Sequence, residues 1–297
     1  MEIRPIEGPE DLRCCTDIFF SSLNDLHERQ GLPPLVPEEC GWMPHSVAHL
    51  AKTDPESVVL ASEGAEPVAF GAAFRRDDYW CLAYLFVLTA SQGRGVGRRI
   101  LEHLLPTRDG LTLATGVEST QPVSTMLYAS FGIAPRVPWY DMLGPLDTDL
   151  LPPLEPGVAV EPPHEADLDA LAAFDRGLLG FARAEEHAWW MGSAEVARAY
   201  RNEAGSVVGY GYLWSEDDWL GPVAGRDEGT TLGIVRDIVL ARGSQKRVEI
   251  PLPGSSGAAL QALLRAGARV KAEPPEIYCS NGPLLPTSYL PFAPFLP

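Results

Sequence analysis

The residues best suited to chemistry lie just before position 100. Tyr84-Leu85-Phe86-Val87-Leu88 reads as a strand, Gln92-Gly93-Arg94-Gly95-Val96-Gly97 as a glycine-rich turn, and Arg98-Arg99-Ile100-Leu101 as the start of an amphipathic helix. Glycines let backbone N–H groups converge with no Cβ in the way, and a helix N-terminus adds partial positive charge. Arg94 and Arg98 supply further cationic donors. Such a turn suits a polyanion, and a pyrophosphate is its natural occupant. A Walker loop would end in Gly-Lys-Ser/Thr, whereas Gly97 is followed by Arg98 and Arg99. A dinucleotide loop would place a third glycine where Ile100 stands. Coenzyme A is the pyrophosphate carrier that remains.

A second motif follows at the spacing of one strand and one turn: Leu127-Tyr128-Ala129-Ser130-Phe131-Gly132-Ile133. Together the two motifs resemble those of the GNAT family of acyl-CoA-dependent N-acyltransferases, whose loop reads Q/R-x-x-G-x-G/A and whose following helix reads L-Y-x-x-x-G-F. The resemblance implies a cofactor, acetyl-CoA or another acyl-CoA, held by Gln92, Gly93, Arg94, Gly95, Val96, Gly97 and Arg98. It also implies a pantetheine arm pairing with the backbone of Phe86, Val87 and Leu88, and the Val87 N–H as donor to the thioester carbonyl. Tyr128 stands at the family's general-acid position, and Gln121 where the family often has an Asn that bonds the cofactor. By itself Tyr128 would read as a packed aromatic; in register with the loop it reads as catalytic.

One departure bears on the reaction. An alkylammonium with a pKa of about 10 must lose a proton before it attacks. The family often keeps a carboxylate for this on one of two strands, and by alignment those positions hold Cys81 and Gly116. Glu118, Asp141, His45 or a water chain are the substitutes. Glu118 is carried forward as the candidate, although alone it reads as a surface carboxylate. The activity implied is acyl transfer to the primary amine of a small molecule. O-acyl transfer and a non-catalytic acyl-CoA sensor stay open beside it.

The elements that must position these residues alternate. Strands are expected at 2–6, 58–61, 68–74, 79–88, 111–117 and 137–143, with helices at 9–30, 45–52, 95–105 and 123–131. A Pro- and Asp-rich break follows, so the expected domains are 1–146, a linker at 147–157, and 158–297. The second half repeats the order in outline. An offset of 135 places Leu85-Phe86-Val87 on Leu220-Gly221-Pro222 and Gly132 on Gly267. In that copy the loop reads Asp227-Glu228-Gly229-Thr230-Thr231-Leu232, whose acids repel a pyrophosphate, and Leu263 replaces the tyrosine. The expectation is an α/β protein of two tandem GNAT-like domains, each a mixed, mostly antiparallel sheet flanked by helices, the first catalytic and the second degenerate. The segment 31–44, with Trp42, reads as a lid over the acceptor. The aromatic and charged run 180–190 reads as a pocket or a buried interface, and 289–297 as an extended or frayed tail.

Composition narrows the partners. A net charge of −17 repels nucleic acid and anionic lipid and suits a cationic amine. Five cysteines, with no C-x-x-C pair, fit a reducing cytoplasm, and no apolar run reaches membrane-span length. His45 and His49 lie one helical turn apart but have no third ligand at suitable spacing, so no metal site is expected.

Overall fold

The protein is represented by a computed structural model that describes residues 1–36, 41–107, 109–215, 218–243 and 246–293. Residues 37–40 of the expected lid and 294–297 of the expected tail therefore lie outside the described residues. The chain forms two compact units, one of residues 1–75 and 80–111, the other of 76–79 and 112–297.

The first unit carries β1 (Glu2–Pro5), α1 (Gly8–Gln30), α2 (Trp42–Thr53), β2 (Val58–Glu63), β3 (Glu66–Arg76), β4 (Tyr79–Val87) and α3 (Val96–Leu104), with strands ordered β1-β2-β3-β4. β2 pairs antiparallel with both β1 and β3. α1 opens Gly8-Pro9, with Glu10 and Asp11 in its first turn, and is closed by Gly31 at φ 70°. Acids favour a helix N-terminus, and a left-handed glycine closes the C-terminus. Its buried Cys15, Ile18, Phe19, Ser22 and Leu26 lie on one stripe. α3 lies close against β3, because a Cβ on Gly71 would stand 2.5 Å from Ile100 and 2.9 Å from Leu104.

The second unit holds β5 (Thr112–Glu118), α4 (Pro122–Ala129), β6 (Ala134–Gly144), β7 (Ala159–Glu161), α5 (Leu168–Leu179), α6 (Ala184–Ser193), β8 (Val196–Arg201) and β9 (Val207–Leu213). It continues with β10 (Leu220–Gly225), α7 (Glu228–Arg242), β11 (Val248–Pro253), α8 (Gly257–Arg265), β12 (Arg269–Val270), β13 (Glu276–Ser280) and β14 (Tyr289–Leu290). Two runs of strands result: β5-β13-β6-β11, with β12 also on β6, and β14-β10-β9-β8-β7. β13 pairs antiparallel with both β5 and β6, and β6 pairs antiparallel with β11. The repeats therefore exchange strands. β13, from late in the chain, fills the gap between β5 and β6, and β6 fills the gap between β11 and β13.

The core of this unit gathers Met142, Leu213, Leu220, Ile234, Ile238, Ile250 and Leu263, and it includes Leu146 and Leu151 from around the proline-rich break. That break is anchored: the Asp147 N–H donates to the Ala266 carbonyl at 2.8 Å, and Arg236 Nε to the Thr148 carbonyl at 2.9 Å. The run 180–190 is largely helical, and α6 turns charged residues inward. Asp175, fully buried, accepts from Arg183 Nε at 2.8 Å and from the Tyr210 hydroxyl at 2.6 Å, and lies 3.0 Å from His187 Nε2. Arg183 also donates to Tyr289, and Arg76 Nε meets both carboxylate oxygens of Glu186 at 3.0 Å. The tail is ordered as far as it is described, since Tyr289 and Leu290 form β14 and Phe292 and Ala293 are buried. A strand of two residues is too short to show periodicity.

Candidate active site

In the first unit, the end of β4 and the loop after it are built from short-range contacts. The Leu88 N–H donates to the Val68 carbonyl at 2.9 Å. N–H groups alternate sides along a strand, so the Val87 N–H points away from β3, as does its carbonyl. Gln92 Nε2 donates to that carbonyl at 2.9 Å. The Phe86 ring is committed to packing, stacked on Phe70 at 5.7 Å and edge-on to Phe19 at 5.0 Å, which leaves its backbone as the part with other uses. The Thr89 hydroxyl donates to Asp25 at 2.6 Å, and the Ser91 N–H to the Leu88 carbonyl at 2.8 Å.

Gly93 and Gly95 then take φ of 73° and 80°, the left-handed region that glycine enters without strain, and a Cβ at either would meet nothing within 4 Å. The loop is open on its outer side. Gly95 is the N-cap of α3, so no side chain caps that helix. Its first N–H groups are the ones that a helix leaves without intrahelical partners. Val96, Ile100, Leu101 and Leu104 anchor α3 by burial while Gln92 through Gly95 stay exposed. A polyanion fits such an opening. The arginines differ from expectation in one respect: Arg94 is paired with Glu63 at 3.0 Å, so a ligand would have to compete for its charge. Arg98 lies loosely by Glu102 at 3.9 Å.

The equivalent place in the second repeat is closed. Asp227 is the N-cap of α7, and its carboxylate accepts from the Thr230 N–H at 2.7 Å. The chain's own anion therefore occupies that helix N-terminus.

In the second unit, Tyr128 sits on α4, buried at 5% exposure. Burial, and the nearby Cys279 thiol after it, hold its phenol well above the ordinary range, so it stays protonated. Burial likewise pushes the Cys279 thiol up to about 11. Gln121 is the N-cap of α4 through its backbone, its carbonyl accepting from the Thr125 N–H at 3.1 Å.

Glu118 ends β5, and β13 places Glu276 directly opposite it; Trp139 of β6 lies opposite Glu276 on the other side. Residues facing one another across strands share a sheet face, as do alternate residues along a strand. Glu118, Glu276, Trp139 and Asp141 are therefore on one face. Burial pushes the Asp141 carboxyl up to about 7, reinforced by Glu249, Glu273 and Glu118 and opposed by Lys271. Burial, then Glu118 and Asp141, hold Glu276 well above the usual carboxylate range. Glu118 and Asp141 are among the candidate bases in the sequence, whereas no local pattern marks Glu276. The offset of 135 does mark it, because Glu276 is the counterpart of Asp141. His45, the other candidate base, is exposed on α2 in the first unit.

Two acetyltransferase (GNAT) domain families match the sequence, one over residues 54–132 and the other over residues 171–289. The chain belongs to the GNAT superfamily and carries two GNAT domains in tandem, each a mixed, mostly antiparallel sheet flanked by helices. A putative acetyltransferase from Pyrococcus horikoshii superposes with a TM-score of 0.72 at 18% identity, covering 100% of this chain and 95% of the other. A GCN5-related N-acetyltransferase from Sphaerobacter thermophilus gives 0.60 at 18% identity over 97% and 98%. A tandem GNAT protein from the clavulanic acid biosynthesis pathway gives 0.51 at 16% identity over 95% and 99%. At these identities the likeness is one of fold. No curated protein matches the sequence. No helix among the described residues is long and apolar enough to cross a membrane.

Proposed function

We propose that the chain is an acyl-CoA-dependent N-acyltransferase, with acetyl-CoA as its donor and the primary amine of a small molecule as its acceptor. The cofactor site belongs to the first GNAT domain, residues 1–146, and residues 158–297 form a second domain that has lost its own. The observation that carries this reading is the contrast between α3, uncapped behind two left-handed glycines, and α7, capped by Asp227.

In this reading the N–H groups at the start of α3, the glycine loop, Arg94 and Arg98 hold the pyrophosphate. When bound, the acyl-CoA supplies an activated acyl group and a thiolate leaving group. Phe86, Val87 and Leu88 offer backbone to the pantetheine arm, with the Val87 N–H as donor to the acyl oxygen. Gln92 fixes the Val87 peptide, and Gln121 bonds the cofactor. Tyr128, kept protonated by burial, is the proton donor to sulfur. The acidic surface implied by a net charge of −17 favours a cationic amine over an anionic acceptor.

Calorimetric titration of acetyl-CoA into the protein and into an Arg94→Glu/Gly95→Glu variant tests the reading. One site per chain, lost in the variant, supports it and justifies a screen of amines for turnover. Two sites would restore the second domain as a cofactor domain. Binding without turnover on any amine or alcohol would favour the sensor, and no binding would remove the case for an acyltransferase.

A further inference from the structure

One cleft of the second unit plays no part in the proposed reaction. Its volume is about 170 Å³. It is enclosed by the start of β4 (Tyr79), the start of β5 (Thr112), the turn from α5 to α6 (Leu179 and Phe181), and the link from β13 to β14 (Leu284 and Leu285). All of these residues belong to that unit.

Hydrogen bonds hold these stretches in place around the opening. The Thr112 N–H donates to the Asp78 carbonyl at 2.8 Å, which ties the starts of β4 and β5 together. The Asp77 carboxylate accepts from the Ala182 N–H at 2.9 Å and from Arg176 Nε at 3.2 Å, which ties the α5–α6 turn to the residues before β4. Leu113 donates its N–H to Asn281 Oδ1 at 2.7 Å, and the Asn281 N–H donates to the Leu113 carbonyl at 3.1 Å, so the end of β13 is fixed to β5. The cleft is built before a ligand arrives, and binding there needs little ordering of the chain.

The lining sets what fits. Tyr79 is stacked on Phe181 at 4.1 Å, Tyr278 brings its hydroxyl to 3.3 Å from that of Tyr79, and Leu285 is buried. The walls are therefore ring and aliphatic surface with hydroxyl-bearing residues among them. Leu284, 41% exposed, leaves an apolar side chain uncovered at the rim. Among the described residues, Asp78 is the one charged member of the lining, which holds no lysine or arginine. Arg183, 5.8 Å from the Phe181 ring centre, is bonded to Asp175, and Arg176 is bonded to Asp77. An anion would meet a carboxylate here with no cation in the wall to hold it. A cavity of about 150 Å³ accommodates benzene, so this one has room for a single ring with a short substituent.

We infer that the cleft is a binding site for a small uncharged aromatic molecule, one ring bearing a single hydroxyl or amide group. The ring packs among Phe181, Tyr278 and the leucines, covering Leu284, in the edge-to-face manner that aromatic pairs favour. The site is separate from the glycine loop and from Tyr128, and it does not rest on the acyltransferase reading.

Benzyl alcohol is the probe, with benzoate beside it as the same ring carrying a negative charge. Calorimetry should give one site per chain for benzyl alcohol, with a dissociation constant of about 1 mM or below. Benzoate should bind at least about tenfold more weakly. At about ten times its dissociation constant, benzyl alcohol should raise the unfolding temperature by about 2–4 °C. In methyl-labelled protein, nuclear Overhauser contacts should join its ring protons to Leu179, Leu284 and Leu285, assigned with Leu179→Ala, Leu284→Ala and Leu285→Ala. Leu179→Trp fills the cleft and should abolish binding, whereas Leu264→Trp, the same change at an exposed position of α8, should leave it unchanged. Thermal unfolding shows whether Leu179→Trp is folded, and the Overhauser contacts in the unaltered protein decide the matter if it is not. The inference is overturned by no saturable binding of benzyl alcohol up to about 10 mM, or by contacts to other leucines only. Binding retained in folded Leu179→Trp, or benzoate bound as tightly as benzyl alcohol, also overturns it.

Discussion

Asp141 and Glu276 are counterparts in the two repeats, 135 positions apart, and the strand exchange sets them on the adjoining strands β6 and β13 with side chains on one face. A duplication kept as two separate sheets would have held these acids apart. Exchange instead puts both on the sheet that also carries Glu118, and Asp141 raises the proton affinity of Glu276.

The Asp141 carboxyl is raised from 3.8 to about 7, so the folded state binds its proton more tightly than the unfolded state does. That contribution to stability is full below pH 3.8 and is lost as pH rises towards 7. Asp141→Asn is therefore expected to raise stability at pH 8 by about 1–3 kcal/mol and to change little at pH 3.5 or below. Thermal unfolding at the two pH values checks it, and a loss of stability at pH 8 would count against the raised carboxyl.

Asp175 behaves in the opposite sense. Burial works to raise its carboxyl, but Arg183 and His187 together outweigh it and lower the group to about 2. The stability this gives is present above pH 3.8 and lost as pH falls through about 2. Asp175→Ala leaves the Arg183 guanidinium buried without its carboxylate and should cost about 3–5 kcal/mol. Chemical denaturation at neutral pH measures it. A cost below about 1 kcal/mol would mean that water or a rearranged tyrosine replaces the carboxylate.

What the sequence made legible was local. The glycine loop and the Tyr128 helix each sit within a few residues, and their conformations follow from glycine's backbone freedom and helical spacing, so both lie where the pattern put them. The exchanged strands were hidden because strand pairing is set by contacts far apart in sequence, and nothing in Glu276–Ser280 says which sheet it joins. α6 was read as a pocket or an interface because its inward residues are Glu186, His187 and Trp190, and an apolar-stripe test misses a helix that buries its charges. β8 gives only a weak strand signal in the sequence, because Arg198 and Arg201 interrupt its apolar residues. Arg94 looked free for a ligand because its partner, Glu63, lies far back in the chain.

Tyr128→Phe separates chemistry from binding. The phenol is buried and stays protonated, so in the proposed reaction it has a proton to give, whereas phenylalanine keeps the packing and gives none. Turnover with the best amine should fall about 100-fold or more, with acetyl-CoA affinity unchanged. Steady-state rates beside calorimetry check both. Unchanged turnover would leave Tyr128 as a packing residue and pass the proton to water.

The strand exchange makes the first domain depend on the second. Ending the chain at residue 154 removes β13 and β11, so β5 loses its β13 partner and the 11-residue β6 loses β13 on one side and β11 on the other. Unpaired ladders that long seek another chain, since each N–H and C=O must find a partner. Fragment 1–154 should therefore be recovered as aggregate or as a species without cooperative unfolding. Co-expression with fragment 155–297 should restore a soluble one-to-one complex, because β6 and β13 can still exchange between separate chains. Size-exclusion chromatography with light scattering and thermal unfolding distinguish these outcomes. A monomeric 1–154 fragment with a sharp unfolding transition would show that the first domain closes its sheet without β13.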